Sequence, residues 1–136
     1  MPPTRPILAN VANRSQDGWD DPVHGRVSWH TLVSADIAAT DSLSAGVAAI
    51  EAGCRLNLHR HAQAELDFIV AGEGVVTIDG VEMSARPSDA IFIPGGAEHG
   101  VRNDAQAELR FFYVFAANSF ADVVYRFPGD PDAPGQ

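Results

Sequence analysis

The sequence predicts an all-β fold, a single domain built as a sandwich or barrel. Three observations carry this. Short apolar runs recur along the chain, parted by turn residues roughly every 8–12 positions. Several runs alternate apolar and polar side chains, the period of a strand with one buried face. Sustained helical periodicity is absent, and the one helical candidate, over 34–43, has little support. Taken in order, strands are expected over 26–33 and 44–51, then over 55–61 and 65–70 with a break near Ala62. The runs 75–78 and 81–83 flank Asp79-Gly80, a pair that tolerates the positive φ of a tight hairpin. A short strand over 90–93 ends at Pro94, 108–115 is the longest apolar run, and 122–127 would be the last strand. Residues 1–25 are rich in Pro, Asn, Asp and Gly and read as an N-terminal arm, leaving 26–127 as the barrel. Residues 128–136, with three prolines and two glycines, read as a disordered tail.

With 136 residues the chain can bury one core, not two. Its formal net charge is −9, and all nine basic residues are arginine. So acidic a surface repels phosphate backbones and anionic membranes, so neither nucleic acid nor membrane is an expected partner. Without lysine there is no Schiff-base chemistry on this chain. Cys54 is alone, which forbids an internal disulfide and fits a reducing compartment. No stretch approaches the roughly 20 apolar residues of a membrane span, and the start lacks a signal-like apolar run. A soluble cytoplasmic protein is expected.

Two segments carry the chemistry. In the first, His59 and His61 stand two apart, so on a strand both point to one face. Glu65, four further on, shares that parity and joins them if the strand continues. In the second, His99 follows Pro94-Gly95-Gly96, a turn able to swing its ring in from a neighbouring strand. Three imidazoles and one carboxylate suit one divalent transition metal such as Fe, Zn, Mn, Ni or Cu. Four protein ligands leave a position open, as a catalytic ion needs.

The pattern resembles the two motifs of the cupin superfamily, small single-domain members above all. Gly53, His59, His61, Glu65 and Gly72 match the first motif, and Pro94, Gly96, His99 and Asn103 the second. Ser88 stands where the second motif usually opens with glycine. The resemblance implies a small β-barrel with the metal in its mouth, held by His59, His61, Glu65 and His99. It also implies a homodimer in which an N-terminal strand often pairs across subunits.

Asp67, Tyr113 and Tyr125 are the candidate catalytic residues. Asp67 interrupts an apolar strand on the parity of Glu65, as a general base or as a partner that fixes a ligand. Small cupin lyases that cleave dimethylsulfoniopropionate often have tyrosine there, and this departure weakens that assignment. Tyr113 should face inward, either moving a proton or packing as a core phenol. Tyr125 is similar to a late tyrosine of some such lyases and lies at the mouth or on the surface. Trp19 and Trp29 would anchor a dimer interface or cover a barrel end. Arg60 should point away from the cage, Arg55 and Arg102 should lie on solvated faces, and His24 and His30 in the arm. The expected function is Lewis-acid and proton-transfer chemistry on a small organic substrate, by a lyase, isomerase or polyketide-type cyclase. A non-haem iron dioxygenase and a non-catalytic metal or small-molecule sensor are the alternatives.

Overall fold

The computed structural model describes residues 3–128. Ten strands form one antiparallel sheet that curls into a barrel: β1 Gln16–Asp21, β2 Gly25–Val33, β3 Ser44–Ile50, β4 Arg55–His59, β5 Glu65–Ala71, β6 Gly74–Ile78, β7 Val81–Ala85, β8 Ala90–Ile93, β9 His99–Arg102 and β10 Leu109–Phe115. Their order across the sheet is β7-β6-β9-β4-β2-β3-β10-β5-β8, with β1 paired to β2. The predicted strands are all present except the last. β10 alternates buried and half-buried positions along its whole length, and β5 alternates buried and exposed ones, as strands with one face in a core must. Ile50, Ile69, Val76, Leu109, Phe111 and Phe115 fill the interior.

Asn103 is fully buried and locks the barrel floor. Its Nδ2 donates to the carbonyls of Ile50 (2.9 Å) and Ala107 (2.8 Å), and its Oδ1 accepts from the Ala105 N–H. A buried amide is retained only when satisfied in this way. Asp79, at φ 47°, turns the β6–β7 hairpin as expected.

Three expectations differ. The stretch 34–43 forms turns and bends, not a helix, because its polar residues bond locally. The segment 122–127 is not a strand. A 3-10 turn, η2 (Phe120–Asp122), is followed by irregular chain joined to the barrel at one bridge, Arg60 to Arg126. Part of the expected arm is also sheet: β1 pairs along its whole length with β2 of its own chain. The turn between them is set by Asp21, whose Oδ1 accepts the N–H groups of Val23 and His24. Of the expected tail, residues 129–136 lie outside the described residues.

On the outer face of β5 and β8, Leu66, Phe68, Val70 and Phe92 are 43–64% exposed. Leu66 stands directly opposite Phe92, so the apolar face is continuous.

Candidate metal centre

β4 and β9 are neighbours with His59 opposite His99, so strand parity turns both rings into the barrel. Their centroids are 4.2 Å apart. His61, just past β4, lies 4.9 Å from His99 and 5.7 Å from His59, ring to ring. Nitrogens of the three rings lie within 4.8 Å of one another. Glu65 Oε1 is 3.0 Å from His61 Nε2 and 3.4 Å from His99 Nε2. The structure therefore brings the four predicted ligands together, all buried.

The route to Glu65 differs from the expected continuous strand. The chain leaves β4, bends at Ala62 and Gln63, and opens β5 at Glu65 between β10 and β8. Curling of the sheet, rather than parity along one strand, sets the carboxylate beside the histidines. The Pro94-Gly95-Gly96 turn packs on that bend: the Gly96 N–H donates to the His61 carbonyl at 2.9 Å, and a Cβ at Gly95 would run into the Ala62 carbonyl oxygen.

The donor set fits a metal ion. Nδ1 of His59 contacts the Asn57 carbonyl (2.7 Å), Nδ1 of His61 that of Gln63 (3.0 Å), and Nδ1 of His99 that of Ala97 (2.9 Å). A carbonyl only accepts, so each Nδ1 carries its proton and each Nε2 offers its lone pair. Lone pairs of His61 and His99 facing a carboxylate repel it unless a cation lies between. A proton fills that role in part. Burial pushes His99 down, but the Glu65 carboxylate outweighs it and the net direction is up. Burial alone would raise Glu65, and the neighbouring His61 and His99 rings hold it well below the usual carboxylate range. His59, in contrast, falls to about 3 through burial and the repulsion of His99. A divalent ion satisfies all four groups at once.

A cavity of about 40 Å³ adjoins the cage, with His59 and Glu65 at one end. Trp19, Trp29, Phe111, Phe115, Phe120 and Tyr125 wall it, and no arginine reaches it. Tyr125 was expected at the mouth or on the surface; it stands beside the cage, its ring 5.2 Å from His59 and 5.3 Å from His61. The Arg60–Arg126 bridge (3.0 and 2.9 Å) fastens its segment to the end of the ligand strand. Burial raises its phenol well above the usual value. Tyr113 also lines the cavity, and burial raises it likewise. Its hydroxyl lies over Gly46, where any Cβ would collide with it. Asp67 stands opposite Tyr113 across β5 and β10, buried, with Oδ1 unpartnered and outside the cavity wall. Burial and then the charge of Glu65 push its carboxyl well up.

The two tryptophans are the residues that sequence reasoning placed elsewhere. Trp19 packs edge-on against Trp29 (4.9 Å) and Tyr125 (5.2 Å) within one chain. The turn residues Asp21-Pro22 and Gly25 were the available signal that β1 folds back onto β2. His24 stacks on Trp19 at 4.6 Å and pairs with Asp21, away from the cage. Arg60 points outward to Glu98, as expected. Arg102 pairs with Glu82 and Asp104 on the surface. A larger hollow of about 570 Å³ runs past Arg55 and Arg102, but it contains none of the four ligands.

Comparison with known proteins agrees with this geometry. The cupin domain family matches residues 46–115, a span that includes all four predicted ligands. This chain is a cupin. It is 39% identical over 125 residues to dimethylsulfoniopropionate lyase DddW of Ruegeria pomeroyi, covering 92% of this chain and 82% of that protein. An oxalate-binding protein of Thermotoga maritima is 30% identical over 63 residues, 46% of this chain and 52% of that one. Among solved structures, the polyketide cyclase RemF of Streptomyces resistomycificus superposes with a TM-score of 0.76 at 16% identity, covering 96% of this cupin and 90% of that chain. A predicted oxalate decarboxylase of Thermotoga maritima gives 0.71 at 19% identity, covering 82% and 99%. Among the described residues no helix of this cupin is long and apolar enough to cross a membrane.

Proposed function

We propose that this cupin is a metal-dependent lyase that splits a small onium carboxylate by β-elimination, with dimethylsulfoniopropionate the first substrate to test. The observation that carries the reading is the aromatic chamber set against the cage. Indole, phenol and phenyl faces with no competing arginine attract a sulfonium or quaternary ammonium group. Similarity to a lyase over 92% of the chain supports the same reading. His59, His61, Glu65 and His99 would hold the metal. When bound, a divalent ion would anchor the substrate carboxylate, draw electron density from its α-carbon and favour the phenolate of a nearby tyrosine.

The side chains do the rest. The rings of Trp19, Trp29 and Phe120 hold the onium end and exclude water. Tyr125, beside two of the ligands, takes the α-proton. The electron pair of that C–H bond becomes the Cα=Cβ bond, and the Cβ–S pair leaves with sulfur. The products are neutral dimethyl sulfide and acrylate, and no oxidant is required. Asp67, where related lyases carry tyrosine, instead steadies Glu65 from behind, which leaves the proton step to Tyr125 or Tyr113.

Metal content measured together with dimethyl sulfide release is the test. Release that depends on metal and on Tyr125 supports the lyase. Stoichiometric iron with oxygen uptake and no sulfide release would move the assignment to an iron dioxygenase, which the same three-histidine, one-glutamate set could serve. Failure to retain any metal would leave a binding barrel. A second copy covering Leu66, Phe68 and Phe92 would complete a homodimer. Sedimentation of wild type against Phe92→Glu checks this, and a monomer in both would end the dimer reading.

A further inference from the structure

The chamber is narrow. At about 40 Å³ it has no room for a substrate to pass while its walls stand still, so some wall must move. Four residues line both the chamber and a surface hollow, and one of them, Val27, is buried in the paired strand β2. Trp19 and Leu56 also belong to paired strands, β1 and β4. Phe120 belongs to no strand. It sits in the three-residue turn η2 and is half-buried, one face toward Trp29 (5.9 Å) and Phe115 (5.9 Å). Its other face lines a hollow of about 260 Å³ together with Arg14, Asp17, Thr31, Asp36 and Ile37.

A small latch holds Phe120 shut. Its N–H donates to Ser34 Oγ at 2.8 Å, Ser34 donates to Asp36, and Ser119 Oγ donates to Asp36 Oδ1 at 2.9 Å. The Ala121 N–H closes the group on Ser119 Oγ at 3.1 Å. Two of these four bonds cross between the loops, beside one backbone bond from the Ala35 N–H to the Asn118 carbonyl (2.8 Å), and they can open and re-form without disturbing a sheet ladder, unlike anything that would move Trp19 or Leu56.

The hollow outside this door has the charges of a zwitterion's complement. Arg14 forms no ion pair among the described residues, and its one side-chain bond is Nη2 to the Leu32 carbonyl at 3.2 Å. A guanidinium steadied by a carbonyl, with its fork otherwise free, suits a carboxylate. Asp17 and Asp36 stand in the same hollow and would face a positive end.

We propose that the hollow around Arg14 is the docking site where an onium carboxylate is first held, and that Phe120 is the door through which it enters the chamber. The docking half rests on the lyase reading above; the door half does not. Both tryptophans of the chain wall the chamber, but Trp19 also faces an outer hollow, so entry is read from Trp29 in a Trp19→Phe background. Quenching by neutral acrylamide should rise several-fold in Phe120→Ala and less in Ser119→Ala, with the β-sheet circular dichroism unchanged. Equal quenching in folded Phe120→Ala and its Trp19→Phe parent would overturn the door. Arg14→Gln should raise KM for dimethylsulfoniopropionate about tenfold with kcat held, and Arg14→Lys should recover part of the loss. An unchanged KM in Arg14→Gln would overturn the docking site. Should wild type release no sulfide, calorimetric binding of the same compound decides instead. Equal affinity in wild type and Arg14→Gln, or none in wild type, ends the docking site, while the quenching result still stands for the door.

Discussion

The cage and the chamber share His59 and Glu65 but are built differently. Three ligands begin or end paired strands, and the fourth, His61, is tied by its ring and its carbonyl to the bend and turn beside it. The chamber draws Trp19 and Trp29 from the first hairpin, and Phe120 and Tyr125 from the irregular end of the chain. All four ligands fall within the 46–115 span matched by the cupin family, whereas these four aromatics fall outside it. On the reading proposed above, the family span supplies the metal centre, and the flanking segments add Trp19, Trp29, Phe120 and Tyr125 to a chamber that β10 also lines. Fold alone therefore says little about reaction, in keeping with the many activities cupin barrels host.

That division can be attacked from either side. The largest effect should come from the cage: His59→Ala or His99→Ala should abolish metal retention and reduce turnover to background while the circular dichroism remains that of a β-barrel. Full metal occupancy in either variant would show that the ion is held elsewhere. Next, Tyr125→Phe should keep its metal and lose about 10²–10⁴-fold in kcat, the usual contribution of a proton-transferring side chain. A Tyr113→Phe variant losing as much, with Tyr125→Phe active, would transfer the proton step to Tyr113. Smaller still, Trp29→Leu should raise KM roughly tenfold through loss of about 1–2 kcal/mol of cation–π attraction, and should bind a neutral isostere as well as wild type does. Equal losses for charged and neutral ligands would reduce the wall to simple packing.

Two modest effects probe the supports. Hydrogen bonds from Ser34 above all, then Ser119, hold Asp36 below its ordinary 3.8. A carboxyl depressed in the folded state stabilises above the unfolded pKa and stops doing so as pH falls through the folded one. Acrylamide quenching of Trp29 in the Trp19→Phe background should therefore climb as pH drops below about 3.8, and Asp36→Asn should flatten that rise. At the far end of the barrel Ser88 sits at φ 78°, a left-handed position where the family's second motif has glycine. Ser88→Gly should raise stability by about 1 kcal/mol in urea unfolding without changing kcat. A loss of stability instead would mean that the serine side chain makes a compensating bond.

The contrast also explains what could be read from the sequence. Strand alternation exposed β2 to β8 and β10, and the His-x-His, Glu and distant His spacing exposed the cage, because both depend on local period and residue type. Glu65 was found for the wrong reason: parity suggested one strand, whereas curvature of the whole sheet makes the contact. Tyr125 and Phe120 lie in chain with no period at all, fixed by a single bridge and a side-chain latch, and nothing local marks their direction. Trp19 lay hidden in a segment whose Pro, Asp and Gly content belongs to a turn rather than to an arm.

The three contacts between histidine Nδ1 and backbone carbonyls have a thermodynamic consequence. They orient the rings before an ion arrives, each held with its Nε2 lone pair toward the cage. Loading then needs no exchange of ring tautomers, so an ion meets rings already turned to it. Metal affinity should still fall with acid, because a protonated imidazole cannot bind, and affinity titrated against pH reads this directly.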